Sequence, residues 1–151
     1  MNILIADTDS ITVEQLSSVM NQVSDDWNVS AAISGLQCLR AIKSSSSPDA
    51  IIIGSNLSDI SGLKLIELIR NDSDVPVFYI SDNKDICTLV NAFDSGATDY
   101  IVKPFNVNIF MARFKAAIRR MKWNIETNSD SHVFTENNAN EQMKNQIAYI
   151  N

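Results

Sequence analysis

Five short apolar runs alternate with five segments of helical periodicity between residue 2 and about residue 122. The first run, Asn2 to Ala6 (NILIA), ends at Asp7. Beyond it Ile11, Val13, Leu16, Val19, Met20 and Val23 fall near helical spacing, which predicts an amphipathic helix. Trp27 to Ala32 reads as a strand. Gly35 to Ser44 reads as a helix, closed by a serine run and Pro48. Ala50 to Ile53 (AIII) is wholly apolar and mostly β-branched, as in a strand covered on both faces. A helix is predicted around Leu63 to Ile69, then a fourth strand over Val75 to Ile80 (VPVFYI), with Pro76 near its start. Ile86 to Phe93 is helical in pattern, Tyr100 to Val102 is a fifth strand, and Val107 to Trp123 is a last, long helix.

This alternation predicts an α/β fold: a five-stranded parallel sheet with helices on both faces and right-handed crossovers. In such sheets function gathers at the carboxyl ends of the strands. Those ends carry Asp7, Gly54, Ser81 and Lys103. Residues 1–122 are expected to form this domain. Residues 123–151 are rich in Asn, Ser, Thr and Glu, with brief apolar pairs at Val133-Phe134 and Ile147-Ala148. They read as a polar linker or tail leading towards a further domain.

Composition narrows the classes. Hydrophobic residues make up 45% and charged residues 20%, enough apolar mass for a real core. A net charge of −6 argues against a chain that coats nucleic acid or anionic membrane. The N-terminus lacks the basic segment and apolar length of a signal peptide, and no stretch is long enough to span a membrane. Cys38 and Cys87 are widely spaced, fall in helical patterns and read as two buried small hydrophobes, which implies a reducing, cytoplasmic home.

Four strings then carry a resemblance: ILIADTD, PDAIIIGSNLSDISG, VPVFYIS and GATDYIVKPF. In order and spacing they resemble bacterial response-regulator receiver domains, most closely the winged-helix transcription-factor branch called the OmpR/PhoB type. The resemblance covers about residues 2 to 122 and implies the flavodoxin-like (βα)5 receiver fold. In that family an acidic pair after strand one and an aspartate after strand three hold Mg²⁺, and the strand-three aspartate accepts a phosphoryl group. A Thr or Ser after strand four and a Lys after strand five bind the phosphoryl oxygens, and an aromatic residue in strand five reports the change.

Carried over residue by residue, the resemblance implies a degenerate site. The strand-one pair becomes Asp7 and Thr8, with Asp9 the nearest acid that could shift to serve. Leu57 and Gly62 stand three and eight places beyond Gly54, the family's Leu and Gly spacing, which puts Gly54 at the acceptor position. Ser81, Tyr100, Lys103 and Pro104 are retained, and Lys103-Pro104 resembles the family's cis peptide. Glycine offers no nucleophilic oxygen, so acyl-phosphate chemistry cannot occur there. With two carboxylates missing, Mg²⁺ binding is expected to be very weak and no cofactor is implied. Ser55 and Asp59 are read as bystanders. Lys103 is expected to pair with Asp7 across neighbouring strand ends, in place of metal and phosphate.

The last helix carries Arg113, Lys115, Arg119, Arg120 and Lys122, with no acid from Asn106 to Ile125. A cationic stripe admits nucleic-acid contact or a solvated helix face. The resemblance implies a third reading, since OmpR/PhoB-type receivers dimerise through the fourth helix, fifth strand and fifth helix, with acids near strand five and bases on the last helix. Asp94, Asp99, Arg113, Lys115, Arg119 and Arg120 match that pattern. Two positions that usually carry opposite charges there are Leu89 and Ile109 here, which exchanges an ion pair for an aliphatic contact.

Together these observations imply a non-enzymatic, phosphorylation-independent, homodimerising module of a transcriptional regulator. Any DNA contact would pass through an output domain after residue 151, with no membrane and no small-molecule substrate. A stand-alone adaptor that binds a protein partner, or an N-terminal module of a signalling enzyme, is the alternative.

Overall fold

The computed structural model describes residues 1–130. Its elements run β1 (Asn2–Ala6), α1 (Ser10–Val23), β2 (Asn28–Ala32), α2 (Gly35–Ile42), β3 (Ala50–Gly54), α3 (Gly62–Arg70), β4 (Val77–Ser81), α4 (Ile86–Asp94), β5 (Asp99–Val102) and α5 (Val107–Asp130). The five strands form one parallel sheet in the order β2-β1-β3-β4-β5. This is the expected α/β receiver architecture.

Side-chain oxygens set the helix starts. Asp9 accepts from the Ile11 amide, Ser34 from Gln37 and Ser61 from Lys64, each satisfying a first-turn N–H that has no helical partner. β3 and β4 are buried at every residue because helices cover both faces. On one face, Leu4, Ile51, Ile53, Val77, Tyr79 and Tyr100 pack with Cys38 of α2, Leu65, Ile66 and Ile69 of α3, and Ala92 of α4. On the other, Phe78 of β4 contacts Phe110 and Phe114 of α5, and Trp27 meets Phe114 edge-on. Leu16 and Met20 of α1 are fully buried.

The differences from the sequence pattern have physical reasons. β4 begins at Val77 rather than Val75, because Pro76 has no N–H for the ladder; its carbonyl still accepts from Ile51 at 2.9 Å. α5 runs to Asp130 rather than stopping at Trp123, since no proline or glycine interrupts residues 124–130. The apolar pairs at 133–134 and 147–148 lie outside the described residues. The two cysteines part company: Cys38 is buried, whereas Cys87 is exposed, so the expectation that both are core residues fails for Cys87. Cys87 sits on a helix whose one buried residue is Ala92, and helical spacing alone did not reveal how little of that helix is covered. By contact density the chain divides between Ala117 and Ile118. The first unit carries the whole sheet and the site described next.

Candidate functional site

The sheet order sets which strand ends meet. Ala6 pairs with Ile53, Gly54 with Ile80 and Ser81 with Val102, so the residues closing β1, β3, β4 and β5 line one rim. Asp7 follows β1 and is only 5% exposed. Lys103 follows β5, and its Nζ lies 3.2 Å from Asp7 Oδ2 and 3.1 Å from Asp9 Oδ2. Asp7 Oδ1 accepts from the Asp9 amide at 2.9 Å. The Lys103-Pro104 peptide is cis, as expected.

The ion pair to Asp7 is therefore present, but two details differ from expectation. β1 and β5 are not neighbours; β3 and β4 lie between them, so Lys103 reaches across two strand ends. Asp9, the acid that could shift to complete the strand-one pair, instead shares the lysine while capping α1 and accepting from Thr12 Oγ1 at 2.6 Å.

Gly54 makes this reach possible. A Cβ built on it would lie 2.7 Å from Asp7 Oδ1 and closer still to Asp7 Cγ and Oδ2. Carbon atoms do not approach that closely without displacement, so the Asp7 carboxylate occupies the space a side chain at residue 54 would need. The missing side chain and the leaning carboxylate form one arrangement.

Charge at this cluster couples to folding. The Thr12 hydroxyl, and then Lys103, hold the Asp9 carboxyl down at about 2, below its ordinary 3.8. For Lys103, burial opposes the charge, but the bonds and fields of Asp9 and Asp7 outweigh it and raise its pKa above the ordinary 10.5. Burial pushes the Cys38 thiol from 9.0 up to about 12. A depressed carboxyl stabilises the fold above its unfolded value, and that contribution disappears as pH falls through the folded value. A raised group stabilises the fold below its unfolded value, and that contribution disappears as pH rises through the folded value. Thermal midpoints should thus be flat between roughly pH 4 and 9, fall below 3.8 towards 2, and fall again above 9.0. Asp9→Ala should flatten part of the acid limb; an acid limb identical to wild type would remove Asp9 from this account.

The remaining rim residues are all engaged. Thr8 Oγ1 donates to the Asn56 carbonyl at 2.9 Å. Ser81 is buried, and its Oγ accepts from the Asn83 amide at 3.1 Å. Tyr100 is buried and its hydroxyl donates to the Asn83 carbonyl. Asp59 accepts from the Gly35 and Leu36 amides at 2.7 and 3.0 Å, tying the β3–α3 loop to the start of α2. Those amides, Gly35 first, lower its pKa. Sequence reasoning missed the parts played by Asp59 and Asn83. Among the described residues, no group of three or more His, Cys, Asp or Glu is spaced to hold a metal ion.

A model of the response regulator receiver domain matches residues 3–115. The chain belongs to this family. The receiver is 38% identical over 104 residues to the transcriptional regulatory protein KdpE of Staphylococcus aureus, covering 69% of this chain and 45% of that protein. It is 30% identical over 118 residues to the DNA-binding response regulator MtrA of Mycobacterium tuberculosis, covering 78% of this chain and 50% of that protein. It thus spans about half the length of these curated relatives. A two-component response regulator from Clostridium difficile superposes with a TM-score of 0.74 at 30% identity, covering 80% of this chain and 98% of that one. Among the described residues, no helix of the receiver is long and apolar enough to cross a membrane.

The second candidate region is the surface of α4, β5 and the start of α5. Leu89 and Ile109 are 40% and 60% exposed, and Ile86, Val90 and Phe93 are exposed beside Leu89 on α4. Asp99 does not stand free. Its carboxylate receives Arg113 Nε at 2.7 Å and Nη2 at 2.5 Å, within the same chain. Asp94 lies around the helix from Leu89, in the groove between α3 and α4 with Glu67 and Arg70. Lys115 is exposed on α5, and Arg119 and Arg120 belong to the second unit, which begins at Ile118.

Proposed function

We propose that this receiver is a phosphorylation-independent regulatory module of a transcriptional regulator, working in the cytoplasm as a homodimer. The observation that carries the reading is Gly54. It stands where the resemblance places the phosphoacceptor aspartate, and the Asp7 carboxylate fills the space that an acceptor side chain would use. No oxygen at residue 54 can attack a phosphoryl donor. Lys103, the group that would meet the phosphoryl oxygens, is already met by two carboxylates. The site supplies internally the charge balance that the resemblance assigns to metal and phosphate. Regulation then rests on association, and DNA contact falls to a further domain; the relative MtrA is itself a DNA-binding response regulator.

The receiver incubated with acetyl phosphate and Mg²⁺ should show, by intact-mass spectrometry, no species heavier by one phosphoryl group. A stable adduct mapped to the segment from Gly54 to Asp59 would overturn the reading.

A further inference from the structure

We propose that Asn83 is a latch that fixes the β4–α4 loop, Tyr100 and the first turn of α4 in one arrangement without any phosphoryl group. Asn83 uses all four of its polar groups. Its amide donates to Ser81 Oγ at 3.1 Å, and its carbonyl accepts from the Tyr100 hydroxyl. Its Oδ1 accepts from the Asp85 amide at 2.8 Å, and its Nδ2 donates to Thr88 Oγ1 at 3.0 Å. One residue therefore joins the end of β4, the middle of β5 and the start of α4.

A second, independent observation makes these bonds matter. Asp85, the N-cap residue of α4, makes no side-chain cap bond, unlike Asp9, Ser34 and Ser61 at the three preceding helices. α4 also buries a single residue, Ala92, whereas α3 buries Gly62, Leu65, Ile66 and Ile69. Apolar burial holds α3 in place; it does little for the first turns of α4. Where burial is small, local opening is governed by the few hydrogen bonds that remain. At the start of α4 two side-chain hydrogen bonds, from the Asp85 amide and to Thr88 Oγ1, run to Asn83.

The consequence concerns the exposed apolar residues of α4, and here the inference rests on the dimer reading above. Ile86, Leu89, Val90 and Phe93 form a usable face only if the helix that carries them is held still. The latch holds it through Ser81 and Tyr100, whose side chains need no phosphoryl oxygen to complete their bonds.

Hydrogen exchange on the full chain tests the latch directly. In Asn83→Ala, peptides spanning residues 82–93 should exchange roughly tenfold faster than wild type, the effect of losing one or two hydrogen bonds of ordinary net strength. Peptides of β1 and β3 should be unchanged. Thr88→Val cuts the Nδ2 bond from its other end, so it should accelerate the same peptides. The double variant should exchange no faster than Asn83→Ala, because residues in one network are not additive. Wild-type exchange in this segment for either single variant, or fully additive effects, would overturn the latch. If Asn83→Ala does not fold, Thr88→Val alone decides. Mass measured on the same samples separates the two ideas. Accelerated exchange in a protein that is monomeric even as wild type leaves the latch standing and removes the dimer.

Discussion

Gly54→Ala should destabilise the receiver by about 1–3 kcal/mol, the range for overpacking a filled site, and should become neutral or stabilising once Asp7 is alanine. Gly54 does not have a positive φ; among the described glycines only Gly96 does. Alanine is therefore free of backbone strain at residue 54 and would ordinarily gain about 0.4–1 kcal/mol by restricting the unfolded chain. Against this stands the collision of the new Cβ with the Asp7 carboxylate. That carboxylate is not the loose end of a flexible side chain. It is one bond from its own Cβ and is held by Lys103 at 3.2 Å and by the Asp9 amide at 2.9 Å. To admit the methyl group, both bonds must yield. Asp7→Ala removes the obstacle but leaves Lys103 without its buried partner. Breaking a buried pair costs 3–5 kcal/mol; here about 2 kcal/mol is the better figure, because Asp9 remains and the lysine keeps some contact with water. That corresponds to a fall in melting midpoint of roughly 5–10 °C for a domain of this size. The two substitutions should thus be strongly coupled, with the sign of Gly54→Ala reversing between backgrounds. Equal effects in both backgrounds, or a raised midpoint for Asp7→Ala, would show that the carboxylate does not occupy that space in solution.

The same cluster shows what the sequence made legible. The strands and helices were readable because each apolar run is short, β-branched and bounded by turn residues, and each helix keeps its spacing. Asp7, Gly54, Ser81 and Lys103 could be placed on one rim because a parallel sheet brings its carboxyl ends together whatever the strand order. The alternation of elements does not encode the strand order, so it places Lys103 beside a neighbouring strand rather than across β3 and β4. Asp9 is ambiguous in sequence, because a carboxylate beside a charged site looks the same whether it completes the strand-one pair, meets a lysine or starts a helix. Asp59 and Asn83 were harder still. Asp59 caps a helix 24 residues upstream of it, and such a contact has no local signature. Asn83 makes two of its four bonds through the main chain, which carries no sequence information. Cys87 looked buried because helical periodicity says which residues share a face, not how much of that face another element covers.

Ile109→Glu should turn a dimeric receiver into a monomer at micromolar concentration, and raised salt should leave the wild-type dimer intact. The exposed apolar residues on α4 and α5 motivate the first half. Ile86 is 76%, Leu89 40%, Val90 46%, Phe93 43% and Ile109 60% exposed. Covering one such aliphatic side chain is worth roughly 1–3 kcal/mol. In an isologous contact each residue acts twice, so one substitution places two carboxylates in the apolar centre, each costly to desolvate without a partner. The second half follows from Asp99. Its carboxylate is held by Arg113 of the same chain at 2.7 and 2.5 Å, so it is already committed before any partner arrives. Ionic rims weaken with salt because exposed charges are screened beyond about 8 Å at physiological ionic strength. Apolar contacts are not screened, and excluded salts such as sulfate strengthen them. Sedimentation or light scattering across a salt series, with beryllofluoride as a control that should change nothing, separates these cases. A wild-type monomer, or a dimer indifferent to Ile109→Glu, would discard this face. A dimer that dissociates in high salt would mean that Asp99 and Arg113 exchange their internal bonds for bonds across the two-fold axis.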